Sequence, residues 1–244
     1  MTLGVSEPQR IWMITLLLIW FCLLFGGFAF GKENAEHTHR MPTWTRMVSS
    51  LTLVVAVWSW WLFTRQNGIN QLPLCIALGM TLGFMGDIFM ANLIPIGNYV
   101  FGGIAAFGLG HIAYILGLVS LGIQFSYTAK AAFWISLITC LIIGAGAWYF
   151  VVYRERAHDT LHLAALPYSL LLSATVGVAS GFALQNVQFV PLAIGAGLFL
   201  VSDLILATQL FNNTHFRFIG DVVWFTYGPG QMLIVFGLVL PVLF

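Results

Sequence analysis

The sequence predicts an all-α fold, a polytopic transmembrane helical bundle of about eight helices. Of its 244 residues, 60% are hydrophobic and only 7% are charged, whereas a soluble domain carries roughly 25% charged residues. A chain of this composition cannot cover itself with a polar surface, so it belongs in a bilayer. The period-two alternation of a membrane β-barrel is absent from the sequence, and open sheets cannot span lipid.

Eight apolar segments account for the helices. The first is long enough to cross about 30 Å of hydrocarbon. Because residues 28–30 make a poor cleavage site, a retained helix is favoured over a signal peptide. The second ends in a cluster of tryptophans typical of the membrane interface, and Pro73 opens the third, where the first turn tolerates proline. The predicted segments are 11–31, 47–63, 73–91, 99–121, 131–152, 161–184, 191–211 and 222–244. No linker divides them, so we expect a single transmembrane domain over residues 1–244.

Basic residues in the short loops predict the orientation. An even number of helices places both termini on one side of the membrane, together with Arg10, Arg65 and Lys130. The opposite side carries twice as many basic residues: Lys32, Arg40, Arg46, Arg154, Arg156 and Arg217. Since basic loops stay in the cytoplasm, we expect the termini outside and the 32–46 and 153–160 loops inside.

Two of the apolar segments contain an acid in matching positions. Residues 79–91 read GMTLGFMGDIFMA and carry Asp87, while residues 195–207 read GAGLFLVSDLILA and carry Asp203. A carboxylate within a lipid-spanning helix costs about 2.5–3.5 kcal/mol on insertion scales. Because Asp87 shares a helix face with two glycines, it should lie on the close-packed side, away from lipid. The pair therefore predicts one shared polar site.

The helices that follow the two acids also resemble each other. Phe107, His111 and Gly117 have the same spacing as Tyr227, Gln231 and Gly237. An offset of four helices preserves orientation, so the pattern favours a 4+4 internal repeat about an axis along the membrane normal. The alternative is chance similarity, because glycine is frequent in all membrane helices.

Other polar side chains lie within the helices and could join the site. His111 and Tyr114 are three residues apart and Tyr227 and Gln231 four apart, so each pair shares a helix face. Tyr168 lies two turns into the sixth helix. We predict that these five residues bind substrate in a pocket that opens toward the inner leaflet. The alternative for each is a structural role in hydrogen bonding or packing between helices.

Several other functions find little support in the sequence. No basic cluster indicates a nucleic-acid surface. The three cysteines lie in apolar segments without metal-ligand spacing, so we interpret them as small apolar residues. Asp87, Asp203 and His111 could hold a cation, but no ligand spacing supports a metal site, and we predict no cofactor. Ser202 lacks a base arranged to activate it, and Asp221 is interpreted as the N-cap of the eighth helix.

In chain order, these residues resemble the YhhN-like lysoplasmalogenase family. The resemblance covers roughly Leu72 to the C-terminus and rests on five short patterns: Gly86-Asp87, Phe107-x3-His111-x2-Tyr114, Pro167-Tyr168, Phe199-x2-Ser202-Asp203-x3-Ala207 and Tyr227-x3-Gln231. It implies an integral membrane hydrolase that cleaves the vinyl-ether bond of lysoplasmalogens to a fatty aldehyde and glycerophosphoethanolamine or glycerophosphocholine. Its substrate would be a lysophospholipid among membrane lipids, in the bacterial inner membrane. The family's two proposed catalytic aspartates map onto Asp87 and Asp203.

The chemistry implied by this resemblance suits two carboxyl groups. Vinyl-ether hydrolysis begins with protonation of the β-carbon and gives an oxocarbenium ion that water captures. Glycosidases divide comparable work between two carboxyls. Asp87 lies near a helix C-terminus, where the helix dipole disfavours its charge, so we expect it to donate the proton and Asp203 to be ionised. The rival interpretation is a proton-coupled carrier, because intramembrane acids and repeats are also typical of transporters.

Overall fold

The computed structural model describes residues 6–65, 71–95, 97–154, 159–237 and 239. These residues form a bundle of eight α-helices, and no strand occurs among them. The helices are α1 (Glu7–Phe30), α2 (Thr43–Thr64), α3 (Gln71–Met90), α4 (Tyr99–Gln124), α5 (Ala131–Trp148), α6 (Thr160–Ala183), α7 (Val190–Asn212) and α8 (Ile219–Phe236). A π-helical turn, Tyr149–Tyr153, extends α5.

Seven of these helices, α1 to α7, are long and apolar enough to cross a membrane. The eighth, α8, has 18 residues and carries several polar ones within it. The predicted all-α, multi-pass membrane fold is confirmed. Arg156 in the predicted 153–160 loop lies outside the described residues, as does most of the predicted eighth segment beyond Gly237.

Several helices begin earlier than predicted, and two of these differences matter for the site. Helix α2 starts at Thr43, directly after Pro42, so Arg46 belongs to its first turn instead of to a loop. Helix α8 starts at Ile219, and Asp221 is therefore inside it. The expectation that Asp221 is the N-cap is wrong. Its carboxylate accepts hydrogen bonds from the backbone N–H groups of Arg40 at 2.6 Å and Met41 at 3.0 Å, so it anchors the segment before α2.

The helices pack in a pattern that occurs twice. The pairs α1–α2 and α3–α4 correspond to α5–α6 and α7–α8. The contact of α2 with α3 corresponds to that of α6 with α7, and the contact of α8 with α2 to that of α4 with α6. Each half of the chain therefore supplies the same arrangement of four helices, as a 4+4 repeat requires.

Close contacts between glycines occur at equivalent residues of the two halves. A β-carbon added to Gly79 of α3 would lie 2.9 Å from the carbonyl oxygen of Gly110 in α4. The equivalent β-carbon on Gly195 of α7 would lie 2.8 Å from the carbonyl oxygen of Gly230 in α8. In the sequence repeat, Gly79 corresponds to Gly195 and Gly110 to Gly230. Only glycine allows the backbones to approach so closely, so chance similarity does not explain the repeat.

Candidate active site

Asp87 and Asp203 line the same polar cavity at one end of the bundle. The cavity has a volume of about 270 Å³. Asp87 lies in the last turn of α3 and is buried, whereas Asp203 is partly exposed within α7. The two carboxyl groups are near enough to interact electrostatically. The remaining walls come from the loop before α2 and from α2, α3, α4, α7 and α8, and include Thr38, His39, Arg46, Met47, Met90, Tyr99, Phe107, Ser202, Gln209, Val223, Trp224 and Tyr227.

Hydroxyl groups on two helices interact with Asp87. The Ser50 hydroxyl donates a hydrogen bond to it from α2, and the Tyr227 hydroxyl of α8 lies near enough to interact with the carboxyl group. The Arg46 guanidinium acts on Asp87 electrostatically from the first turn of α2. Donors directed at a carboxylate stabilise its ionised form, so this side of the cavity suits a negative charge.

Asp203 has a simpler environment. The Tyr168 hydroxyl of α6 donates to it and is its only side-chain donor in the described part of the chain. Helix α6 occupies the place in the second half that α2 occupies in the first, so Ser50 and Tyr168 are the matching donors of the repeat. The two acids are equivalent in position, and each accepts one side-chain hydrogen bond, but Tyr227 and Arg46 act on Asp87 in addition.

A hydrogen-bonded chain runs behind Asp87. The Tyr114 hydroxyl donates to Oε1 of Gln231 at 3.0 Å, and Nε2 of Gln231 donates to the Tyr227 hydroxyl oxygen at 3.2 Å. Since Tyr227 accepts from Gln231, its own hydrogen is free to be donated to Asp87. Tyr114 and Gln231 are buried and line neither the polar cavity nor the apolar cavity described below. They contact the site through Tyr227.

His111 also lies behind the cavity walls. Its Nδ1 is 2.9 Å from the Thr175 hydroxyl, which donates its own hydrogen to the Leu171 carbonyl. Thr175 must therefore accept from Nδ1–H, and Nε2 carries the lone pair. The His111 ring packs against Tyr168 and Phe199 with centroid distances of 6.3 and 4.7 Å. It supports Tyr168, the donor to Asp203.

A second cavity, of about 70 Å³, is almost entirely apolar. It lies among α4, α5, α6 and α7, and its walls include Ile104, Val151, Val152, Ala165, Tyr168, Leu172, Leu200, Leu204 and Phe211. Asp203 and Phe107 line both this apolar cavity and the polar one. The Asp203 carboxyl group therefore lies at a boundary between a polar and an apolar space, while Asp87 faces only the polar space.

The polar cavity continues toward two surface loops. Thr38 and Gln209 line both this cavity and an outer depression of about 660 Å³. At its rim, the Arg217 guanidinium binds Glu33 through two hydrogen bonds of 3.0 and 2.9 Å. Hydrogen bonds from Arg217 and then His37 lower the pKa of Glu33 to about 2. Backbone hydrogen bonds from Phe218 and Gly220 to residues 37 and 38 also join the two loops.

The structure brings together most of the predicted site residues, in two groups. Asp87, Asp203, Tyr168 and Tyr227 line the cavities, and His111, Tyr114 and Gln231 lie behind them. Within the described segments, no three His, Cys, Asp or Glu side chains are grouped closely enough to hold a metal ion. The cation site considered for Asp87, Asp203 and His111 therefore has no ligand set, since His111 is turned toward Thr175.

Sequence reasoning missed Ser50 and Arg46. Ser50 is one of several small hydroxyl residues in α2, and nothing in the sequence distinguishes the one that reaches Asp87. Arg46 was counted as a loop residue because the start of α2 was placed at Met47. The proline at position 42 was the signal for the earlier start, because the residues following a proline often form the first helical turn.

The model of the YhhN family matches residues 41–238 of the chain. The chain belongs to the YhhN family. No curated protein and no solved structure matches it. The matched region begins before α2, so in this YhhN protein it includes Arg46 and Ser50 as well as the two acids. It is wider than the region whose short patterns carried the resemblance, which began at Leu72.

Proposed function

We propose that this YhhN protein is a membrane-embedded hydrolase that cleaves the vinyl-ether bond of lysoplasmalogens. The observation that carries the proposal is the place of Asp203 between the polar and the apolar cavity. A lysoplasmalogen has a single hydrocarbon tail joined by a vinyl ether to a glycerophospho head group. With the first carbons of its tail in the apolar cavity and its head in the polar cavity, the vinyl ether would lie beside the acids.

The reaction needs one proton donor and one group that directs water. Protonation of the β-carbon turns the double bond into an oxocarbenium ion, and water adds to the α-carbon with loss of a proton. The resulting hemiacetal breaks its bond to the glycerol oxygen. One water is consumed, and the products are a fatty aldehyde and a glycerophospho-alcohol. Two carboxyl groups on either side of the reacting bond can supply both functions.

The contacts favour Asp203 as the proton donor and Asp87 as the ionised partner. In the bound lipid, the β-carbon lies on the tail side of the ether oxygen and the α-carbon follows toward the head. Asp203 borders the apolar cavity, where the β-carbon would lie, and Asp87 faces the polar cavity, where water would enter.

This assignment reverses the one expected from the sequence, which rested on the helix dipole at Asp87. A dipole at a helix end contributes about 0.3–1 kcal/mol. A hydrogen bond to a charged group contributes about 1.5–3 kcal/mol. Asp87 accepts one from Ser50, and the Tyr227 hydroxyl and the Arg46 guanidinium also act on it. These interactions outweigh the dipole and favour a charge on Asp87.

Aldehyde release by the purified protein tests the proposal. The detergent-solubilised chain is incubated with 1-alkenyl-glycerophosphoethanolamine, and fatty aldehyde and glycerophosphoethanolamine are measured in equal amounts. The saturated 1-alkyl analogue is the matched control, because it has no double bond to protonate and should give no product. Absence of aldehyde from the alkenyl lipid under conditions where the protein remains folded would refute the proposal.

A proton-coupled carrier of a small molecule or lipid is the second candidate. The repeated helix packing around two intramembrane acids favours it, because transporters often place their coupling groups between structural repeats. A carrier would give no aldehyde but would move substrate or protons across sealed vesicles. A hydrolase that acts on amphiphilic lipids would explain the boundary between the polar and apolar cavities at Asp203. A carrier does not require such a boundary.

A further inference from the structure

We infer that Arg46, which lines the polar cavity, binds the phosphate of the substrate's head group. The inference rests on the proposed hydrolase function and deepens it, since it assigns the head-group site. It also separates two roles within one cavity. The acids would act on the vinyl ether, and Arg46 would hold the phosphate on the other side of the glycerol.

The Arg46 guanidinium has free hydrogen-bonding capacity within the cavity. A guanidinium carries five N–H donors, and the described residues engage this one through a single bond, from Nη2 to the Thr43 hydroxyl at 3.2 Å. Its Nε is buried and has no partner in the described part of the chain. The Trp224 ring covers one face, with its centroid 5.7 Å from Cζ. The charge is thus held in place while most of its donors remain available.

The acids near Arg46 do not neutralise it by direct contact. Asp221 and Asp87 act on it electrostatically, but no carboxylate oxygen among the described residues lies within 4.0 Å of its nitrogens. The Asp221 carboxylate binds the backbone N–H groups of Arg40 and Met41, and Asp87 accepts a hydrogen bond from the Ser50 hydroxyl. A partly buried cation without a direct partner carries a desolvation cost, and an anionic ligand would offset that cost.

Among the described residues that line the cavity, Arg46 is the one Lys or Arg. His39 lines the same cavity, but burial, followed by the charge of Arg46, lowers the pKa of its ring, so it remains neutral at pH 7. A planar guanidinium matches a phosphate through two parallel N–H···O bonds. The cavity therefore offers one strong binding site for a phosphate ester with one or two negative charges. A neutral head group would not use this site.

Two substrates that differ only in the phosphate test this inference. One is 1-alkenyl-glycerophosphoethanolamine and the other is 1-alkenylglycerol, with the same tail and vinyl ether. For Arg46→Gln, we expect kcat/KM on the phosphate substrate to fall about 10- to 100-fold, mainly through KM, the range for losing hydrogen bonds to a charged group. Turnover of 1-alkenylglycerol should fall by a much smaller factor, which reflects only the effect of Arg46 on the charge of Asp87. Arg46→Lys should recover part of the loss, because it restores the charge without the bidentate geometry.

Arg40→Gln is the matched control. Arg40 is a nearby arginine whose guanidinium contacts the Gly31 carbonyl and the Phe28 ring, and it does not line the cavity. This variant should retain the wild-type preference for the phosphate substrate. An equal loss on both substrates for Arg46→Gln would overturn the inference, because Arg46 would then act on the chemistry through Asp87. No loss on either substrate would also overturn it.

A binding measurement separates this inference from the proposed reaction. Saturated 1-alkyl-glycerophosphoethanolamine cannot be hydrolysed by this route, so its affinity can be measured whether or not the protein is a hydrolase. We expect Arg46→Gln to weaken its binding about 10- to 100-fold and to leave 1-alkylglycerol binding unchanged. Unchanged binding of the phosphate lipid would refute the head-group site. Inorganic phosphate should compete weakly, and competition as strong as that of the lipid would indicate a free-phosphate site instead.

Discussion

The Gln231 side chain fixes the direction of the Tyr227 hydroxyl by donating to its oxygen over 3.2 Å. Tyr114 donates to the opposite end of the same amide at 3.0 Å, so the amide has one favourable orientation. The Tyr227 hydrogen is then free to point toward Asp87. Gln231, which lines neither cavity, thus sets the direction of a hydroxyl group beside a candidate catalytic acid.

Removing the Tyr227 hydroxyl should slow the reaction without weakening lipid binding. Tyr227→Phe removes one of the two hydroxyl groups that interact with Asp87. We therefore expect kcat for aldehyde release to fall about tenfold, corresponding to about 1.4 kcal/mol, with little change in KM. Gln231→Leu should change kcat in the same direction but by less, because Tyr227 keeps its hydroxyl. Tyr99→Phe is the control, because it removes the hydroxyl group of another tyrosine that lines the cavity. If Tyr227→Phe behaves like Tyr99→Phe, the chain of hydrogen bonds has no role in turnover.

The close glycine contacts should be equally sensitive in both halves of the repeat. Gly79→Ala and Gly195→Ala would each force a β-carbon to within 2.9 Å of a backbone carbonyl oxygen, and overpacking of this kind costs about 1–3 kcal/mol. We expect a lower melting temperature in detergent for both. A β-carbon at Gly197, on the same helix as Gly195, meets nothing within 4 Å, so Gly197→Ala should be neutral or stabilising. Equal melting temperatures for all three variants would contradict the packing described here.

The orientation of the chain in the membrane remains a prediction from the basic residues. We expect both termini outside, with the 32–46 and 153–160 loops in the cytoplasm. The polar cavity opens between residues 36–38 and 215–217, so it would face the cytoplasm. Single cysteines introduced at Glu36 and at Ser126 would be labelled from outside the cell with an impermeant reagent. We expect reaction at position 126, and reaction at position 36 would invert the assigned orientation.

The ion pair at the cavity rim should be lost only in strong acid. The pKa of Glu33 is lowered from 4.5 to about 2, mainly by its hydrogen bond to Arg217. A lowered carboxyl pKa contributes stability that is present above 4.5 and disappears as the pH falls toward 2. In a double-mutant cycle with Glu33→Gln and Arg217→Gln, the coupling should be equal at pH 7 and pH 5, decline below pH 4 and weaken with added salt, because the pair is exposed. A coupling that changes between pH 7 and pH 5 would contradict this.

The sequence could predict the helices and the two acids because each has a strong physical signature. Apolar runs of sufficient length have few alternatives to a membrane helix, and Asp87 and Asp203 stand out because charge within such a run is costly. Ser50 carries no comparable signature, since a hydroxyl can satisfy itself on its own helix. Arg46 was missed because a basic residue near a helix start is compatible with either a loop or a first turn.

The neutral amide variants of the two acids test the account most directly. Asp87→Asn and Asp203→Asn preserve the shape of each side chain, and each should lower the rate of aldehyde release from 1-alkenyl-glycerophosphoethanolamine by at least about 100-fold. Both should insert and fold, because Asp87→Asn removes a buried charge and so relieves a cost, and Asp203→Asn replaces a neutral acid with a neutral amide of similar shape. Asp159→Asn, at the exposed N-cap of α6, should retain wild-type activity. Near-full aldehyde release by either site variant would show that its acid is not catalytic, and near-full release by both would contradict two-carboxyl hydrolysis.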